Sequence, residues 1–217
     1  MKLNKILTSI DRQELKPREE QMFKYCPDMM SRKIAEANVQ QAFVLDTVWN
    51  YLGQYVGEAD PSILCVGSYE DTAYNTLLCQ RLDIVGIDPD EIDPEDRMDL
   101  KEYWTKNRNE RFYIIFSTSV LEHVHNDEEF MSYFCDLLAP GGVGILTMDF
   151  NDKYKKGDPV PATVIRQYTK YDLEVRLMEV LNRYGCELVD EPDWNGEPNF
   201  LYQGHWYSFA TYVFKKK

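Results

Sequence analysis

Ser62-Ile63-Leu64-Cys65-Val66-Gly67-Ser68-Tyr69-Glu70-Asp71 is the stretch on which the reading of the fold turns. A short, nearly unbroken apolar run that stops at a glycine reads as a central strand covered on both faces, because a strand with one wet face alternates. Three more runs have the same character: Asp83-Ile84-Val85-Gly86-Ile87-Asp88, Phe112-Tyr113-Ile114-Ile115-Phe116 and Val143-Gly144-Ile145-Leu146-Thr147-Met148. Helical patterns separate them, so from about Pro61 onward the chain carries the βαβ signature of an α/β protein with a mostly parallel sheet.

The helices are marked by their ends. Asn126 precedes Asp127-Glu128-Glu129, an N-cap with an acidic residue three positions on. Phe130, Tyr133, Phe134, Leu137 and Leu138 follow at helical spacing, and Pro140-Gly141-Gly142 ends that helix. A later helix starts at a Thr169 cap, carries Leu173, Leu177, Val180, Leu181 and Tyr184 inward, and ends at Gly185. Cys186 to Val189 and Ser208 to Phe214 are expected as the last strands, the latter alternating like an edge or hairpin partner. Residues 1–60 read as a helical cap or lid segment, and residues 61–217 as the α/β domain. Between Asp88 and Phe112 only 23 residues intervene, rich in Asp, Glu and Pro. A full helix–strand–helix unit does not fit, so the sheet is expected to be trimmed there.

Composition narrows the function. The 217 residues carry 24 Lys+Arg against 37 Asp+Glu, a net charge of -13, which argues against a phosphate backbone as partner. The terminal Lys215-Lys216-Lys217 reads as a solubilising tail. Apolar residues make up 44%, enough for a core, yet no run approaches the roughly 18 apolar residues of a membrane span. The N-terminus, MKLNKILTSIDRQELK, lacks the apolar run and cleavage site of a signal peptide, and a cytoplasmic location is expected. The five cysteines are widely spaced without a C-x-x-C pair, which excludes a zinc ribbon and argues against a disulfide framework.

In an open parallel sheet, ligands bind beyond the carboxyl ends of the strands. Gly67, Ser68, Tyr69 and Asp71 follow the first strand, Asp88 the second, Ser117 and Thr118 the third, and Asp149 the fourth. Gly67 lets backbone approach a ligand closely. Asp88, 21 residues downstream, suits bidentate hydrogen bonds to a ribose diol. A dinucleotide fingerprint has three glycines where this chain has one, which favours a nucleoside ligand without a pyrophosphate over NAD.

Ile63-Leu64-Cys65-Val66-Gly67-Ser68, Gly86-Ile87-Asp88, Ser119-Val120-Leu121-Glu122-His123-Val124 and Leu138-Ala139-Pro140-Gly141-Gly142 together resemble the class I S-adenosylmethionine-dependent methyltransferases, in particular the small type acting on sugars, lipids and other small molecules. The resemblance spans residues 62–214. It implies a Rossmann-like fold of seven strands with an antiparallel last strand, and S-adenosylmethionine as cofactor. Asp99 with Leu100 matches the family's adenine-proximal acid. Cys65 stands where the family usually has an acid, and Tyr69 and Asp71 where it has further glycines. Tyr69 is expected against the cofactor, with Asp71 replacing a missing polar contact.

His123 is the candidate general base toward an acceptor hydroxyl, and Asp149 a second carboxylate near it. Tyr202, His205 and Trp206, within an aromatic cluster that includes Phe200 and Tyr207, are expected to stack on a sugar acceptor. Residues 66–73 and 209–214 also resemble methyltransferases found with glycan-assembly genes, implying a glycan acceptor and a glycosyltransferase neighbour. No metal site is expected: Glu122 and His123 lack an evident third ligand, and the Asp88–Asp96 stretch lacks the glycine of a calcium loop. Nothing in the spacing of Arg18 and Arg32 singles them out as parts of a lid.

Overall fold

The structure, a computed structural model, describes residues 2–53 and 62–217. The expected junction at 60/61 lies outside the described residues.

Four strands run in parallel: β1 (Ile63–Val66), β2 (Ile84–Ile87), β3 (Phe112–Thr118) and β4 (Leu138–Phe150). β5 (Cys186–Leu188) and β7 (His205–Lys216) complete the order β2-β1-β3-β4-β7-β5, with β7 antiparallel to both neighbours. A short β6 (Phe200–Tyr202) pairs with the start of β7 as a hairpin and brings the count to seven. The mixed seven-stranded sheet is the one expected, but no strand forms between β2 and β3. That segment keeps only helix α6 (Leu100–Lys106), and β2 becomes the edge. The acidic loop folds back over it: the Asp88 amide donates to the Asp96 carbonyl at 3.2 Å, and the Ser68 hydroxyl to Glu91 at 2.6 Å.

The central strands show no polar alternation because both faces are covered. Ile63, Cys65, Ile114, Phe116, Val143 and Ile145 pack with one layer of helices: α2 (Lys16–Tyr25), α4 (Asn38–Leu52) and α5 (Thr72–Cys79). Leu64, Val66, Ile115, Leu146 and Met148 pack with the other, α6, α7 (Asp127–Leu137) and α8 (Leu177–Arg183). Strand periodicity thus sends alternate residues into two separate cores. Two short helices, α1 (Ser9–Glu14) and α3 (Pro27–Arg32), complete the N-terminal segment. Its first residues run beside β7: Asn4 Oδ1 accepts from the Val213 amide at 2.7 Å, and the Leu7 amide donates to the Phe209 carbonyl at 2.8 Å.

Local signals account for the helix ends. Asn126 caps α7, Asp71 caps α5 and Asp99 caps α6, each accepting a backbone N–H through its side chain. Strand β4 begins directly at Leu138, so Pro140-Gly141-Gly142 forms an irregular entry into the strand. The register with β3 shifts there, between Phe112 and Ile114. The helix expected from Thr169 is present, but its first full turn, Asp172–Arg176, is a π-helix.

Beneath the strand ends, the buried Asp127 carboxylate accepts from Arg176 at 2.8 and 2.7 Å and from the Tyr168 hydroxyl at 2.8 Å, and pairs with Arg166 at 2.9 Å. Burial alone raises a carboxyl pKa, but Arg176, Tyr168 and Arg166 outweigh it and hold Asp127 below its ordinary value. We predict that Asp127→Ala lowers unfolding stability by roughly 2–4 kcal/mol, less than for a wholly buried pair because both arginines keep contact with water. Urea titration checks this. A lowered folded pKa means that this stabilisation is present at neutral pH and lost as the pH falls through that lowered value. The gap between parent and variant therefore closes in acid.

Candidate active site

The carboxyl ends of β1, β2 and β3 converge on a crevice. Gly67 leaves β1 with φ of +89°, and a Cβ there would lie 2.3 Å from Val120 Cγ2. The loops after β1 and β3 therefore touch, which only glycine permits. Three cavities line up around this contact. The first, about 360 Å³, is a largely apolar slot walled by Met98, Leu100, Val120, Val124, Phe130 and Tyr133. The second, about 480 Å³, shares Gly67, Asp88 and Val120 with the first and adds Lys33, Asp71 and Thr118. The third, about 220 Å³, shares Ser119 and His123 with the second and is walled by Glu122, Asp149 and the rings of the β6–β7 hairpin.

Asp88 stands where the first two cavities meet. Its carboxyl accepts from the Asp90 amide at 2.8 Å, and burial raises its pKa despite bonds from the Asp90 and Tyr69 amides. Asp71 is buried, holds the Tyr74 amide at 2.7 Å and is also raised by burial. Asp99 lines the apolar slot with Leu100 while its Oδ1 accepts the Glu102 amide at 2.8 Å. Tyr69 is exposed and borders the second cavity, as does Thr118.

Two expected contacts are turned elsewhere. The Ser117 hydroxyl donates to the Val66 carbonyl at 2.8 Å inside the sheet. Ser68 is committed to Glu91, and its amide to the Ile87 carbonyl at 3.2 Å. Their side chains fall on the inner side of the strand ends.

His123 closes a 3-10 turn, Leu121–His123, entered from Ser119, whose φ is +51°. Its Nδ1 lies 2.5 Å from the Thr163 carbonyl. A carbonyl only accepts, so Nδ1 carries the proton and Nε2 of the neutral ring is left with a lone pair. Glu122 and Asp149 are both buried, and both pKa values are raised, chiefly by burial. Each carboxylate disfavours ionisation of the other, so the pair titrates as a unit.

Tyr202 lines the third cavity, as do Phe200, Tyr207 and Phe209. Trp206 does not: it pairs with Leu201 on the outer face of the hairpin and is 56% exposed. His205 faces Tyr202 at the hairpin tip, outside the cavity wall. Adjacent side chains in a strand point to opposite faces, so 205, 206 and 207 cannot all reach one ligand. Sequence reasoning also missed Gln40 and Gln41 on α4. Gln40 accepts the Ser119 hydroxyl at 2.8 Å, while Gln41 accepts both the Thr72 amide, at 2.9 Å, and the Thr72 hydroxyl. Only their adjacency at a helix start marked them.

A family profile described as a methyltransferase domain matches residues 31–191. The chain belongs to this methyltransferase family. No curated protein matches the methyltransferase. Among solved structures it is similar to the 1,6-didemethyltoxoflavin-N1-methyltransferase of Burkholderia thailandensis, which carries 1,6-didemethyltoxoflavin and S-adenosylhomocysteine: 17% identity over 98% of this chain and 92% of that one, TM-score 0.55. The CurJ carbon methyltransferase matches at 15% identity over 90% and 60% of the two chains, TM-score 0.54. The [4+2]-cyclase SpnF matches at 15% over 85% and 84%, TM-score 0.52. At such identities the likeness is one of fold.

S-adenosylmethionine is the cofactor of this methyltransferase, and the crevice fits it. The apolar slot suits a planar base, Asp88 a ribose diol, and the Lys33 cation at the edge of the second cavity a carboxylate. We predict that Asp88→Ala weakens S-adenosylhomocysteine binding by about 10- to 100-fold, the value of lost hydrogen bonds to a charged group, read by calorimetric titration. Gly67→Ala is expected to destabilise the fold and weaken binding, and adding Val120→Ala to recover part of the stability by removing the clash. Backbone strain at the positive φ persists in the double variant.

Proposed function

We propose that this methyltransferase alkylates a hydroxyl of a small polyol, of the sugar class used in glycan assembly, with His123 as general base. One observation carries the reading. The His123 ring belongs to the walls of both the cofactor crevice and the third cavity, with Nδ1 committed to Thr163 and Nε2 left to accept a proton. When bound, the cofactor supplies an electrophilic methyl group on a sulfonium. The residues of the chain do the rest. Asp88 and the apolar slot fix the donor's nucleoside end. Ser119, held by Gln40, and His123 mark the boundary across which donor and acceptor face each other. Phe200, Tyr202, Tyr207 and Phe209 offer flat apolar faces to a ring and exclude water. As the new O–C bond forms and the S–C bond breaks, the hydroxyl proton passes to His123 Nε2.

Holding the two reactants in register contributes on the order of 7–11 kcal/mol, and proton removal adds roughly 10²–10⁴-fold. We predict that His123→Asn lowers kcat on a hydroxyl acceptor by about that 10²–10⁴-fold factor and leaves S-adenosylhomocysteine affinity within about twofold. The check is S-adenosylhomocysteine release in the presence of a panel of sugars and polyols. Equal turnover by the variant would remove His123 from proton transfer. No turnover with any hydroxyl acceptor, alongside turnover with amines or carbon acids, would overturn the O-methylation reading.

A further inference from the structure

The third cavity contains chemistry that a neutral sugar does not use. Glu122 is 1% exposed and Asp149 is 4% exposed, and both line it. Glu122 Oε2 has no hydrogen-bond partner, and no side-chain hydrogen bond from a described residue reaches the Asp149 carboxyl. Burial disfavours ionisation of both carboxyls, and each disfavours ionisation of the other, so a cation docked between them would meet groups that gain by its charge. Among the described residues no lysine or arginine lines this cavity, and His123 is its single basic group, with one nitrogen already engaged by Thr163. The remaining wall is aromatic: Phe200, Tyr207 and Phe209 pack on one another with ring centroids 4.8–5.7 Å apart, and Tyr202 lies alongside. Buried carboxyls beneath aromatic faces complement a cation, through charge-assisted hydrogen bonds below and ring quadrupoles at the sides. An anion meets the opposite: two carboxyls and, among the described residues, no lysine or arginine. At about 220 Å³ the cavity admits one small ring or its equivalent, not a chain of sugars.

We infer that the acceptor is an amine-bearing polyol, whose ammonium group docks on Glu122 and Asp149 so that a neighbouring hydroxyl is presented to His123. The ammonium is a recognition group and stays protonated. The hydroxyl is the methylated group, so the inference rests on the O-methylation reading above. Carboxylate- and phosphate-bearing acceptors are disfavoured, because among the described residues no lysine or arginine lines the cavity to pair with them.

The test uses the full chain saturated with S-adenosylhomocysteine, titrated calorimetrically with D-glucosamine, 2-deoxystreptamine, D-glucose and D-glucuronate at millimolar concentrations. At least one amine is expected to bind about tenfold or more tightly than glucose, with no glucuronate binding. In Glu122→Gln/Asp149→Asn the amine preference is expected to fall to about unity while S-adenosylhomocysteine still binds. Thermal melting reports whether that variant folds, and the comparison of ligands on the unmodified chain stands without it. Equal affinity for amine and glucose, tighter binding of glucuronate, or a preference that survives in a folded double variant would each overturn the inference. So would no binding of either amine to a chain that holds S-adenosylhomocysteine. If the amine binds but only its nitrogen is methylated, the site assignment survives and the O-methylation reading fails.

Discussion

The buried Asp127 carboxylate is the constraint on which the active site rests. It sits at the start of α7 and gathers Arg166, Tyr168 and Arg176, two of which belong to the strap 163–168 that crosses the strand ends. Once that strap is pinned, its backbone does the positioning. The Thr163 carbonyl takes His123 Nδ1, the Ile165 amide donates to the Glu122 carbonyl at 3.0 Å, and the Tyr168 amide donates to the Asp149 carbonyl at 2.8 Å. Three residues of the acceptor cavity thus depend on a single charge cluster below it. Long side chains gathered around one carboxylate convert an irregular segment into a fixed wall, which hydrophobic contacts on a short loop could not do.

The trimmed sheet raises a second physical problem. Losing the strand beyond β2 exposes a row of backbone groups, a template for unwanted pairing. The acidic loop after Asp88 begins where this edge ends. It returns an Asp96 carbonyl to the Asp88 amide, ties Glu91 to Ser68, and ties the Arg97 guanidinium to the Glu91 and Ile92 carbonyls. The charges that make this loop resemble an ion site bond its own backbone and Ser68. Ser68 is drawn into that arrangement, which is why its hydroxyl is absent from the cofactor crevice.

How far the sequence spoke depended on the range of the signal. The core strands were legible because strands covered on both faces must be apolar throughout, and the caps at Asn126, Asp71 and Asp99 are local backbone chemistry. The placement of Gly67 and Asp88 at the crevice was legible because both end strands of a parallel sheet. Ser117 and Ser68 misled because position at a strand end does not tell which way a side chain turns. Alternation along β7 turns Trp206 away from the face that carries Tyr207 and the overlooked Phe209, whereas His205 shares that face but stands at the hairpin tip, beyond the cavity. Gln40, Gln41 and Lys33 were beyond reach. They come from the N-terminal segment, far away in sequence, and meet the crevice only after the whole domain has closed.

That difference in legibility follows a division of labour. The donor side is built from strand ends and their first turns, where geometry is dictated by the sheet and few residue types are tolerated. The acceptor side is assembled from a helix start, a strap and a hairpin, joined by side-chain contacts such as Gln40 to Ser119 and His123 to Thr163. Residues there are free to change without loss of the sheet, so acceptor chemistry is written in side-chain type alone. The buried pair Glu122 and Asp149 is the clearest such choice. A buried carboxyl raises the cost of the folded state unless a partner or a ligand offsets it. Two of them opposite four aromatic rings, in a cavity with no lysine or arginine among the described residues, are the side chains on which the proposed preference for a cationic acceptor rests.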